Sequence, residues 1–165
     1  MAAPRRIEPG PGQESVWDYP RPPRLEPTTS HLVVEFGGVV LADSTAAWRV
    51  LETSQPPAYY LPPDDVALEY LVPSLAHTFC EWKGLASYFS VQVGDRRATD
   101  AVWTYPDPVP RFEPITGYLA FYAQLMDACW VDDERVQANA GAFYGGWITA
   151  KVVGPFKGGP GTAGW

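Results

Sequence analysis

Two runs, CEWKGLASYF (Cys80–Phe89) and AVWTYPDP (Ala101–Pro108), hold Trp82, Tyr88, Phe89, Trp103 and Tyr105 around a single cysteine and a single lysine. Aromatic residues suit a pleated, half-buried surface, so both runs read as strands. Between them FSVQV, Gly94, Asp95 and RRATDAVWTY have the pattern of a hairpin. Rings at this density form either the centre of a small β core or the wall of a ligand pocket.

On the N-terminal side of this centre, LVVEF and VVLAD flank Gly37 and Gly38, a two-residue linker that permits the positive φ angles of a tight turn. Asp43 or Ser44 is placed to cap a short helix through TAAWRVLE, with Ala46, Trp48, Val50 and Leu51 on its buried face. QPPAYYLPPDD is an extended run held between prolines, and VALEYL alternates as a strand does. GYLAFYAQLM is aromatic and follows strands, which favours strand over helix. The expected fold class is mostly β, with one or two short helices.

Composition separates three zones. Residues 1–30 form a proline-rich arm, extended because proline fixes φ and removes donors, yet Trp17, Tyr19 and Leu25 require a groove to dock in. Residues 31–131 are the β domain. Residues 132–165 are rich in glycine but carry Phe143, Tyr144, Trp147, Ile148, Val152, Phe156 and Trp165, so this tail packs, on its own domain or on a neighbouring subunit. A swapped tail would make a homodimer.

Charge and cysteine usage exclude several functional classes. With 46% hydrophobic and 19% charged residues the chain is a packed globule rather than a disordered one. A formal charge of -7 repels nucleic acid and anionic membranes at long range, and no basic stripe offsets it. Cys80 and Cys129 are too few for a disulfide scaffold and lack the paired spacing of a structural zinc site. No apolar run has the length of a signal peptide core or a membrane span, and a cytoplasmic protein is the simplest reading.

The succession YYLPPDDV (Tyr59–Val66), HTFCEWKGLASYF (His77–Phe89), AVWTYPDP (Ala101–Pro108) and TGYLAFY (Thr116–Tyr122) resembles the bacterial DUF427 domain family over roughly residues 31–130. The flanking SVWDYPRPP and GAFYGGWITAKVVGPFKGGPGTAGW resemble extensions of actinobacterial members. The resemblance implies a β-tent-like domain, two antiparallel sheets meeting at an angle, in a superfamily with zinc-holding and small-ligand-binding relatives. The zinc cysteines of those relatives are absent here, and Glu81 stands where the family usually has the proline of CPWKG. A nucleotidyltransferase label is sometimes attached to the family. The residues lend it little support: Asp64 with Asp65 and Asp132 with Asp133 are adjacent and would face opposite ways on a strand, and GPFKGGPGT lacks the GK[ST] ending of a phosphate loop.

If Cys80–Phe89 is a regular strand, Cys80, Trp82, Gly84, Ala86 and Tyr88 share one face and Glu81, Lys83, Leu85, Ser87 and Phe89 the other. Cys80 and Lys83 then point apart, and the odd offset from His77 to Cys80 speaks against a thiol and imidazole pair. Cys80 reads as a small buried core residue. Lys83 is either a cation at a pocket mouth, or a surface partner of Glu81. Trp82 and Tyr88 on one run and Trp103 and Tyr105 on the other would form a box of rings if their faces meet, with Tyr59, Tyr60, Glu69 and Tyr122 on neighbouring runs. The preferred reading is a small-ligand-binding domain, ligand unknown, with Trp82, Tyr88, Trp103 and Tyr105 lining the pocket and Lys83 or Glu69 orienting a polar group. It calls for no cofactor and no metal. The alternatives are an enzyme using Lys83 or Cys80 for covalent or acid-base chemistry, and a homo-oligomeric scaffold.

Overall fold

The computed structural model describes residues 4–165; Met1, Ala2 and Ala3, the start of the expected arm, lie outside the described residues. The arm contributes β1 (Glu14–Ser15) and β2 (Arg24–Pro27). The hairpin at Gly37 and Gly38 joins β3 (Leu32–Phe36) to β4 (Val39–Ser44), and both glycines have positive φ, 61° and 78°. Leu32, Val34 and Phe36 alternate inward and are buried, as a strand with one face on a core requires.

Beyond the hairpin come β5 (Trp48–Leu51), β6 (Ala58–Tyr60) and the three long strands β7 (Leu71–Cys80), β8 (Gly84–Val93) and β9 (Arg96–Thr104). Short strands complete the chain: β10 (Ala120–Phe121), β11 (Ala128–Val131), β12 (Glu134–Arg135), β13 (Gln137–Ala138), β14 (Trp147–Ile148) and β15 (Val152–Val153). Two four-stranded antiparallel sheets, β10-β9-β8-β7 and β12-β11-β3-β4, supply the main core, where Leu32, Val34, Val91, Val102, Phe121 and Cys129 meet. A three-stranded sheet, β2-β5-β6, covers a second cluster built on Tyr60, Tyr88, Trp103, Tyr105, Phe112 and Ile115. The fold is thus mostly β. No helix among the described residues is long and apolar enough to cross a membrane.

Three local expectations are corrected. The helix expected through TAAWRVLE is instead a turn followed by β5. The Ser44 hydroxyl does accept from a backbone N–H, that of Ala46 at 3.0 Å, but it closes a turn and caps no helix. Two turns of isolated helix are marginal, whereas β5 gains a partner on each side, β2 and β6, and Arg49 at its centre pairs with Glu14 at 2.7 Å and Glu26 at 2.6 Å. VALEYL is no strand; Leu68–Tyr70 form a 3-10 turn. In GYLAFYAQLM only Ala120–Phe121 are strand, and Ala123–Leu125 turn as a 3-10 segment.

Arm and tail both pack, and they pack together on this chain. β1 runs parallel to β15, Glu14 opposite Val152 and Ser15 opposite Val153. The Trp17 indole donates to the Pro155 carbonyl at 2.9 Å, and Val16 is fully buried. Trp147 is buried against Tyr59, with ring centroids 5.2 Å apart, and donates to the Phe121 carbonyl at 2.9 Å.

Candidate functional site

A cavity of about 570 Å³ opens among the aromatic rings of the second cluster. Strand register creates its floor. Tyr88 on β8 lies directly opposite Trp103 on β9, and two residues on, Tyr105 falls on the same side. Tyr60 enters from β6 and Tyr122 from just beyond β10. Trp103 and Tyr122 lie tilted against each other at 50° with centroids 4.6 Å apart, while Tyr60 meets Trp103 edge to face at 6.1 Å.

The polar tips of these rings are partly committed. Trp103 Nε1 donates to Tyr60 Oη at 3.0 Å, Tyr122 Oη donates to the Phe143 carbonyl at 3.0 Å, and the Tyr88 and Thr78 hydroxyls are 2.9 Å apart. Burial pushes the phenols of Tyr60, Tyr105 and Tyr122 above their ordinary value, so at neutral pH they are uncharged hydroxyls.

The segment between β7 and β8 overturns the parity expected for Cys80–Phe89. Cys80 pairs with Gly84, and Glu81, Trp82 and Lys83 form the turn between them. Gly84 has φ 113°, a conformation that side-chain-bearing residues rarely adopt. The following loop locks the turn: Val109 N donates to the Lys83 carbonyl at 2.9 Å. Alternation is regular only from Gly84 to Phe89, after which the pairing with β9 shifts register. Lys83 therefore lines the same cavity as Cys80 instead of pointing away from it.

Lys83 is 8% exposed, with its ammonium 5.7 Å from the centre of the Tyr105 ring and 6.0 Å from that of Phe112. The surface pair with Glu81 does not form, since Glu81 is exposed and Lys83 is buried. Among the described residues no carboxylate is in ion-pair contact with Lys83. Desolvation pulls the ammonium's pKa down, but the Tyr60 and Cys80 side chains and, more weakly, the Glu52 carboxylate oppose it and the net direction is upward. The group facing the cavity is a cation rather than a free amine.

Of the residues expected at the site, Trp82, Lys83, Tyr88, Trp103 and Tyr105 all line this cavity, with Tyr60 and Tyr122. Tyr59 belongs to the neighbouring core. Glu69 is exposed on the Leu68–Tyr70 turn and does not line the cavity, because the run that carries it is not the strand its alternation suggested. His77 is exposed beside Ser87 at 3.5 Å and is likewise absent from the lining, whereas Cys80 is on the wall.

The tail supplies residues that strand reasoning missed. Phe143, Tyr144, Gly145 and Gly146 cross one side of the cavity as a strap, and Lys157 stands at its margin with its ammonium 5.2 Å from the Tyr144 ring centre. A Cβ on Gly145 would come within 3.1 Å of the Tyr122 ring and collide with the Trp103 ring; one on Gly146 would strike Pro56. The readable signal was the pair of glycines in FYGGW, small residues where a backbone must lie flat on rings.

No curated protein matches the chain. The family model described as a domain of unknown function, DUF427, matches residues 24–132, which cover the three sheets' long strands and the floor of the cavity, and the chain belongs to that family.

Proposed function

We propose that this domain binds a small organic molecule with a planar ring in the cavity walled by Trp82, Tyr88, Trp103 and Tyr105. The observation that carries the reading is a volume of about 570 Å³, within the usual range for ligand sites, where the five buried rings of Tyr60, Tyr88, Trp103, Tyr105 and Tyr122 and several polar tips converge. A planar guest fits between ring faces, and the Tyr105 hydroxyl, which has no side-chain hydrogen bond among the described residues, is available to it. Lys83 orients the guest's polar end.

A thermal-shift screen of planar metabolites tests this. A compound at a hundred times its Kd stabilises a one-site protein by about 2.7 kcal/mol. The hit is expected to be lost in Trp82→Ala, a variant that keeps the fold because Trp82 is half-buried on a turn. A stabilising compound that binds equally well without Trp82 would place the site elsewhere.

The neighbouring Cys80 and Lys83 side chains favour a second reading, in which this pair carries chemistry on the bound molecule. Turnover abolished by Lys83→Ala and by Cys80→Ala, with binding retained, is its signature.

A further inference from the structure

We infer that the guest of this cavity carries a negative charge, a carboxylate or phosphate group on its planar ring, seated on the Lys83 ammonium. The inference rests on the ligand-binding reading above and adds the chemical class of the ligand. Lys83 is a buried cation held in place by a locked turn, facing a cavity, with no carboxylate of the described residues in ion-pair contact. A buried charge is normally paired, because taking an ammonium out of water is costly without a compensating partner. Around it stand ring faces, the Cys80 thiol and hydroxyls, and the two carboxylates of the lining, Glu52 and Glu81, are both outside ion-pair contact with it.

Every other charged group of the lining is accounted for. The Glu52 carboxylate is held by Arg21, whose Nε donates to it at 3.0 Å, so it is not the missing counterion. Glu81 also lines the cavity, but it is exposed and forms no ion pair with Lys83 among the described residues. Lys157 adds a second cation at the margin. Inside a chain of net charge -7 the cavity thus keeps two lysines, each over an aromatic face and neither in an ion pair among the described residues. An anion arriving there gains a charge-assisted hydrogen bond from a buried ammonium on the wall of an open cavity.

The test uses the full chain and calorimetric titration with naphthalene-2-carboxylate and indole-3-carboxylate, each paired with its own neutral carboxamide, and with 2-naphthyl phosphate. The expected result is that an acid binds about tenfold or more tightly than its amide. Lys83→Met should erase that preference while cooperative melting persists, and Lys83→Arg should keep most of it. Equal affinity for acid and amide in the wild type overturns the inference and leaves the ligand-binding reading standing; so does a preference that survives Lys83→Met. If neither acids nor amides bind, both readings fall. A phosphate that outbinds the carboxylates would assign the site to phosphate esters, and the reverse order to carboxylic acids.

Discussion

The Trp103 indole and the Tyr60 hydroxyl are joined by a 3.0 Å hydrogen bond between two buried side chains that belong to different sheets, β9 and β6. This contact ties the three-stranded sheet to the floor of the cavity. Tyr60→Phe keeps the ring and leaves the indole N–H without its acceptor. The variant is expected to lose about 1–3 kcal/mol in urea unfolding, the cost of an unsatisfied buried donor. Adding Trp103→Phe should cost less than the sum of the two single changes, because the donor is then gone as well.

The strap depends on Gly145. Gly145→Ala places a methyl group against the Trp103 and Tyr122 rings. The strap must lift, breaking the bond from Tyr122 Oη to the Phe143 carbonyl. We expect a loss of about 1–3 kcal/mol and a shift in tryptophan emission, with Gly164→Ala, which meets nothing, as the neutral control.

Asp127 links stability to pH. Its carboxylate accepts from Arg96 at 2.6 and 2.9 Å and from the Gly37 amide at 2.8 Å, at the β3–β4 turn. The Arg96 guanidinium and that amide hold its pKa at about 2, below the ordinary 3.8. A depressed carboxylate pKa means that the charged form is favoured by folding, so the stabilisation is present above the ordinary value and is lost as pH falls toward 2. Asp127→Asn should therefore lower the urea midpoint at pH 7, and the difference from wild type should shrink between pH 4 and pH 2. A difference that stays constant over that window would show that the charge is not the cause.

The two thiols should react differently. Cys129 is buried opposite Val34, and desolvation pushes its pKa up to about 12. Cys80 is half-buried on the cavity wall. Brief iodoacetamide treatment followed by peptide mass spectrometry is expected to label Cys80 and spare Cys129 until the protein unfolds. A compound seated in the cavity should slow labelling at Cys80.

Much of the β framework is legible in residue order. Gly37 and Gly38 mark a turn because two consecutive positive φ angles exclude most other residues, and Gly94 with Asp95 marks the β8–β9 turn. The shared face of Tyr88, Trp103 and Tyr105 follows from strand parity together with a pairing that puts Tyr88 opposite Trp103. What parity could not convey is where it is interrupted. The turn at Glu81–Lys83 sits inside an unbroken aromatic pattern, and its one marker, Gly84, is equally compatible with a bulge. That single interruption decides whether Lys83 faces solvent or the cavity. Trp48–Leu51 fit a helix face by local propensity, and only pairing with β2 and β6, both distant choices of the chain, makes them a strand. The strap was hidden for a similar reason: its glycines acquire meaning from Trp103 and Pro56, dozens of residues earlier.

The parallel pairing of Glu14 and Ser15 with Val152 and Val153 has a bearing on synthesis. A ribosome delivers the proline-rich arm before the β domain, and the arm's hydrogen-bonding mate only after that domain. The β domain can assemble while Trp17 is still waiting for Pro155, so the two flanking extensions close together as a clasp over a body that is already formed.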